Sequence, residues 1–226
     1  MTEQGLPHVI TAATVGTTAT AFLGVARETV GERVREFGAV LLRGFDVPGA
    51  EAFARVVRAV SGTPLPYTEP EASARVEVFP RHVDADRDIW PRTLVFHCVR
   101  PPDSRGATLL ADTRRVLRTL DPAVRDEFAT RGWRVNGSRR RAIHLHPVTG
   151  EAVWFNDLPT APRYGDGAPV PEDVRAHVRD CYRAAQRRVA WHEGDLLLVD
   201  NMLAAHGREP YAGRRDIVVA AAEPVR

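Results

Sequence analysis

The run Gly194-Asp195-Leu196-Leu197-Leu198-Val199-Asp200-Asn201-Met202-Leu203-Ala204-Ala205-His206-Gly207-Arg208 is the most informative part of the chain. Leu196 to Val199 is a short, unbroken apolar run behind a Gly-Asp turn, which reads as a strand buried on both faces. Ile217-Val218-Val219-Ala220 is a second run of the same kind. Between them His206 follows a strand and a turn. Upstream, a helix is expected from Pro171 to about Val189, with Glu172 and Asp173 in its first turn. Its inner face is Val174, Val178, Tyr182, Ala185 and Val189, while Arg175, Arg179, Arg183 and Arg187 step along another face.

Working further back, Ala152 to Asn156 reads as a strand. Asp121-Pro122 starts a helix that Gly132 ends, and Asp112 caps a shorter one through Leu120. Arg139-Arg140-Arg141 reads as a solvated loop. Arg75 to Phe79 and Leu94 to Val99 read as strands, and the proline-rich Thr63 to Pro70 as a loop. The first third predicts helices at Thr18 to Phe37, stopped by Gly38, and at about Ala50 to Val60. The buried strand Ala39-Val40-Leu41-Leu42 lies between them. Short strands with helices early and on one side predict a mainly β fold with flanking helices (α+β), a sandwich or barrel.

At 226 residues, 44% hydrophobic and 27% charged, one globular domain spanning residues 1–226 is expected. All 31 basic residues are arginine. The absence of lysine excludes a Walker A loop and Schiff-base or pyridoxal phosphate chemistry. A net charge of +2, with arginines interspersed among acids, gives no reason to expect nucleic acid. Cys98 and Cys181 form no CxxC pair, no apolar run approaches a membrane span, and the N-terminal residues lack signal-peptide character. A cytoplasmic protein is expected.

His82-Val83-Asp84 is an HxD pair. In an extended segment both side chains point to one side and can reach one metal ion, with His206 the best candidate for a third ligand. Eight histidines and 29 acids in 226 residues make about one such pair expected by chance, so the pair alone carries little. His144-Leu145-His146 is a rival that could seed a cupin-type metal site. His97 reads as a packed strand residue and His192 as exposed. Ser61 reads as a turn serine and Cys98 as core. Tyr164-Gly165-Asp166-Gly167 reads as a glycine turn without nucleotide-loop spacing.

Several blocks, taken in order, resemble the taurine dioxygenase/clavaminate synthase-like superfamily of Fe(II)- and 2-oxoglutarate-dependent oxygenases. They are Gly38 to Phe45, His82-Val83-Asp84 with Trp90-Pro91, Phe96-His97-Cys98, Gly106 to Asp112, His146 to Asn156, Gly194 to Asn201, and Ala205-His206-Gly207-Arg208 with Arg214-Arg215 beyond. The resemblance covers about residues 38 to 221. It implies a double-stranded β-helix (jelly-roll) core, with N-terminal helices of about 18–62 packed on the barrel. His82, Asp84 and His206 are implied as iron ligands. Thr108 and an arginine after the last ligand, Arg215 in preference to Arg214, are implied as the anchor for the far carboxylate of 2-oxoglutarate. His144 and His146 become parts of a structural strand.

The activity implied is hydroxylation of an unactivated C–H bond of a small molecule, with 2-oxoglutarate and O2 consumed and succinate and CO2 released. An amino acid, free or on a carrier protein, in secondary-metabolite biosynthesis is the substrate expected. The carboxylate of Asp84 points to hydroxylation, where a Gly or Ala would open a halide site. Desaturation, cyclisation or epimerisation at the same iron is the alternative, and a non-catalytic binding protein on this fold is another. The chain departs from the family in two shortened segments, before the first metal histidine and before His146. It also carries Arg105-Gly106-Ala107-Thr108 in place of a Gly-Gly-Glu-Thr run. A shortened cover suits a tethered substrate, and the Arg175 to Arg187 stripe is a candidate dock for an acidic carrier protein.

Overall fold

The structure is a computed structural model and describes residues 5–61, 64–65, 90–135, 137–156 and 162–225. The first half contains β1 (His8–Thr11), α1 (Ala19–Phe37), β2 (Ala39–Arg43), α2 (Gly49–Ser61), β3 (Pro64–Leu65), β4 (Trp90–Arg100), β5 (Ser104–Arg105) and β6 (Thr108–Asp112). Next come α3 (Thr113–Thr119), α4 (Pro122–Arg131), β7 (Trp133–Val135), β8 (Ser138–Arg140), β9 (Ile143–Leu145), β10 (Ala152–Trp154) and β11 (Arg163–Tyr164). The last part holds α5 (Glu172–Ala185), β12 (Gln186–Val189), β13 (Leu196–Asp200), β14 (Ala204–Arg208), β15 (Tyr211–Ala212) and β16 (Asp216–Val225).

Local chemistry sets the helix ends. The Thr18 hydroxyl accepts from the Ala21 N–H at 3.2 Å to open α1. Gly38 closes it at φ 81°, a left-handed conformation that favours glycine. The Asp112 carboxylate accepts from the Arg114 and Arg115 N–H groups to open α3, and Asp121 with Pro122 opens α4.

Two sheets enclose the core. The larger has the order β1-β2-β13-β4-β16-β3, parallel only between β1 and β2. The smaller has the antiparallel order β12-β6-β14. Alternate residues of a strand face opposite ways, so each sheet has an inner and an outer face. Leu41, Leu94, Phe96, Leu197, Val199 and Ile217 of the larger sheet pack with Leu110 and Val189 of the smaller in one interior cluster. The outer face of the larger sheet (Val40, Leu42, Val95, Leu196, Leu198) is covered by Leu23 and Val30 of α1 and Phe53, Val56 and Val57 of α2. The outer face of the smaller sheet (Leu109, Ala111, Ala205) is covered by Val116 and Leu117 of α3, Phe128 of α4, and Val178 and Tyr182 of α5. This is the jelly-roll core with flanking helices that the family resemblance implies.

Three local expectations are corrected. The helix begun at Pro171 ends at Ala185, because Gln186 turns extended and Gln186 to Val189 pairs with β6 as an edge of the smaller sheet. Arg139 and Arg140 lie in β8, which pairs with β7. There the Arg139 guanidinium donates to the carbonyls of Thr130 (3.0 Å) and Arg131 (3.2 Å), a cation at the C-terminus of α4. Pro64-Leu65, expected in a loop, pairs with β16, and the strand expected at Arg75 to Phe79 lies outside the described residues.

An ion pair with a buried carboxylate ties β2 to the start of β13 in the larger sheet. Arg43 grips Asp195 through Nε (3.0 Å) and Nη2 (2.6 Å), and Asp195 also accepts from the His192 N–H at 2.8 Å. Asp195 is fully buried, so its charge depends on this two-pronged contact. Truncating Arg43 strands that charge. The variant R43A is expected to lose about 3 kcal/mol of unfolding free energy, read from urea denaturation midpoints. A loss below 1 kcal/mol contradicts the assignment.

Candidate functional site

The site is built around the turn that joins β13 to β14. Asp200 closes β13, and its Oδ1 accepts from the backbone N–H groups of Met202 (3.0 Å) and Leu203 (3.2 Å). Its Oδ2 accepts a hydrogen bond from the His146 Nε2–H at 3.0 Å. The other ring nitrogen of His146 accepts from the Thr149 N–H at 3.0 Å, so the ring proton belongs on Nε2. Asn201 ties the same turn to the start of β4. Its N–H donates to the Arg92 carbonyl at 2.6 Å, and its side-chain amide donates to the Pro91 carbonyl at 2.8 Å. Thr113 donates its hydroxyl to the Met202 carbonyl at 2.6 Å. Three chain segments thus converge where β14 begins.

β14 carries His206 into the barrel. In the β6–β14 register His206 lies opposite Leu110 and Arg208 opposite Thr108. Partners directly across a pair share a face, so Thr108, Leu110, His206 and Arg208 all face inward. The His206 ring is buried and meets the Phe96 ring of the larger sheet in a T-shaped contact, centroids 5.5 Å apart. The Thr108 hydroxyl is also buried and accepts from the indole N–H of Trp191 at 3.1 Å. Among the described residues no acceptor takes the hydroxyl's own proton.

The two candidate arginines separate. Arg214 is exposed, whereas Arg215 is partly buried with its Nε fully so. The Arg215 guanidinium stands 5.7 Å from the Tyr211 ring, and Arg208 approaches the same ring at 5.0 Å. Arg215 also lies within electrostatic reach of Cys98, an inward-facing residue of β4. A buried hydroxyl with a proton to give and a guanidinium at one mouth of the barrel are donors suited to a carboxylate. A buried imidazole on the same face suits a first-row metal ion.

His82 and Asp84 lie outside the described residues. Among the described residues no three His, Cys, Asp or Glu side chains are grouped to hold a metal. The rival pair has other work: His146 is committed to Asp200, and His144 bonds the Arg141 carbonyl at 3.0 Å beside Trp90 and Phe155. His97 points to the outer face and stacks on Phe53 at 5.5 Å. Ser61 is the last residue of α2 and bonds back to Val57 at 2.6 Å. The arginine stripe of α5 is paired within its own helix. Arg175 and Arg179 meet Glu172, Arg183 meets Asp180, and Arg187 belongs to β12. Trp191 and the Asp200 network escape motif reading, since only tertiary pairing reveals what they touch.

A family model described as "Taurine catabolism dioxygenase TauD, TfdA family" matches residues 4–221. The dapdiamide synthesis protein DdaC of Enterobacter agglomerans is 24% identical, with 98% of this chain and 93% of that protein covered. That alignment extends over 308 positions, so DdaC carries segments this 226-residue chain lacks. A clavaminate synthase-like protein of Arabidopsis thaliana is 26% identical over 83% of this chain and 82% of its own length. Among solved structures, PvcB of Pseudomonas aeruginosa superposes with a TM-score of 0.70 at 23% identity, covering 94% of this chain and 84% of PvcB. It is described as an Fe, α-ketoglutarate-dependent oxygenase from an isonitrile synthetic pathway.

Burial pushes the Cys98 thiol up to about 12, and the nearby Asp195 carboxylate adds to the shift. Below that pH the thiolate needed for alkylation is scarce, while the unfolded thiol ionises near 8.5. Iodoacetamide at pH 8 is therefore expected to leave Cys98 unmodified in the native protein and to label it fully in guanidinium chloride, as read by mass spectrometry. Native labelling of Cys98 at the rate of a free thiol would overturn the interior placement.

Proposed function

The chain belongs to the taurine catabolism dioxygenase TauD, TfdA family, and from that premise we propose that it hydroxylates an unactivated C–H bond of a small, amino-acid-like molecule in secondary-metabolite biosynthesis. It is an Fe(II)- and 2-oxoglutarate-dependent oxygenase. The names of similar proteins, a dapdiamide synthesis protein and an oxygenase from an isonitrile synthetic pathway, support the biosynthetic setting. The observation that carries the site assignment is the shared inner face of His206, Thr108 and Arg208, with Arg215, its Nε buried, near the same Tyr211 ring as Arg208.

In this reading His82, Asp84 and His206 hold the iron, and Thr108 with Arg215 anchors the far carboxylate of 2-oxoglutarate. When bound, iron and 2-oxoglutarate supply the oxidising power: 2-oxoglutarate and O2 yield succinate and CO2, and one oxygen atom enters the substrate C–H bond. The protein's part is positional. Phe96 steadies the His206 ring through a T-shaped contact. Thr108 and Arg215 fix one end of the co-substrate by a hydroxyl donor and a charge-assisted fork. The interior cluster excludes water from the floor of the site.

The proposed partner is a free small molecule. The pairing of Arg175, Arg179 and Arg183 within α5 leaves little uncommitted charge for an acidic carrier protein. The proposed setting is the cytoplasm, one domain spanning residues 1–226. The buried free thiols of Cys98 and Cys181 suit a reducing compartment, and no described helix is long and apolar enough to cross a membrane.

The test is anaerobic titration with Fe(II) and 2-oxoglutarate, followed by an aerobic substrate screen scored by coupled succinate formation. Succinate release is expected to require Fe(II) and O2. H206A and D84A are expected to lower it more than about 100-fold, beyond the loss usual for outer-shell partners. R215A is expected to raise the KM for 2-oxoglutarate about 10- to 100-fold, and R214A less than about threefold. Iron binding without any 2-oxoglutarate turnover would favour a non-catalytic binding protein. A larger effect of R214A than of R215A would reverse the anchor assignment.

A further inference from the structure

Trp191 lies two residues beyond β12, on the link that carries the chain to β13, and is buried in the interior cluster. Its indole nitrogen can only donate, and it donates to the Thr108 hydroxyl at 3.1 Å. That bond occupies an acceptor site of the hydroxyl. It leaves Thr108, only 3% exposed, with one proton to give and no described residue to receive it. A buried hydroxyl donor without an acceptor costs free energy, so its state is explained by a ligand that accepts there.

Resting on the reading of Thr108 as a co-substrate anchor, we infer that Trp191 is a positioning residue that makes Thr108 an obligate donor toward the carboxylate of 2-oxoglutarate. An isolated hydroxyl rotates and can equally present a lone pair, which repels a carboxylate. With the indole N–H seated on the oxygen, the O–H turns away from Trp191. The accepted hydrogen bond also polarises the O–H, strengthening the bond it gives. Trp191 touches neither metal nor co-substrate in this role and acts through Thr108.

The test is a double-mutant cycle read by calorimetry. Mn(II)-loaded protein is titrated with 2-oxoglutarate without turnover, for wild type, W191F, T108V, T108S and the W191F/T108V double variant. W191F is expected to weaken binding about three- to tenfold and T108V about tenfold, while T108S stays within about twofold of wild type. The double variant is expected to bind no more weakly than T108V, because the indole acts only through the hydroxyl. With 2-oxoglutarate saturating, kcat of W191F is expected to match wild type, so the effect falls on KM for 2-oxoglutarate. Should phenylalanine leave the protein poorly folded, the benzothienyl isostere of tryptophan at position 191 removes only the N–H and carries the same expectation. Wild-type affinity in the N–H-deleted protein, or additive losses in the double variant, overturns the inference while leaving Thr108 as anchor. Wild-type affinity in T108V overturns both the anchor and the inference.

Discussion

The carboxylate of Asp200 is buried at the end of β13, and each of its oxygens has a separate duty. One holds the N–H groups of Met202 and Leu203, which turns the chain from the larger sheet into the smaller. The other is met by His146, which brings in the β9–β10 hairpin. A charge so placed is tolerable only when its lone pairs are taken up by donors, so the turn has little freedom to vary. Asn201, beside it, fastens the turn to Pro91 and Arg92, the first residues of β4. β14 starts three residues later with His206 on its inner face, so the direction of that imidazole is inherited from the Asp200 turn.

The same logic recurs at two other points. Asp195, at the opposite end of β13, is held by Arg43 of β2, so the central strand is tied down at both ends by a buried carboxylate. Arg114 of α3 reaches Asp112, Glu151 and the carbonyls of Arg35 and Glu36 at the end of α1. It thereby joins the layer over the smaller sheet to the layer over the larger one. With no lysine in the chain, each such contact falls to a planar guanidinium, whose several donors can serve carboxylates and carbonyls at once.

The barrel interior has two characters. Toward its floor it is apolar, with Leu41, Leu110, Leu197 and Val199 in contact. Toward the end where β6 starts and β14 finishes it presents Thr108, Arg208 and Arg215, beside Tyr211. Donors at that end are backed by an apolar floor, a setting suited to an anionic group. Between α4 and β9 the chain makes only the short β7–β8 hairpin.

Periodicity and capping chemistry were enough to read α1 to α4, the central strands and the layered β architecture, because each of those signals is local. The ordered blocks around His146 and His206 were enough to suggest the family, and the family model matches residues 4–221. Local signals failed where a neighbour outvoted them. Val189 continues the helical spacing of α5, yet the open edge of β6 takes Gln186 to Val189 as a strand. Arg139 reads as part of a loop and stays exposed, yet Ser138 to Arg140 pair with β7 as a strand. No pattern in Trp-His-Glu-Gly-Asp tells that the indole of Trp191 finds Thr108, 83 residues away. Spacing does not choose between Arg214 and Arg215; the preference for Arg215 came from the family resemblance, and the structure leaves Arg214 exposed and Arg215 partly buried. Residue order thus settled which elements exist and which chemistry is present. Which of those groups meet was left to the pairing of distant strands, because a hydrogen bond depends on ångströms in space and not on separation along the chain.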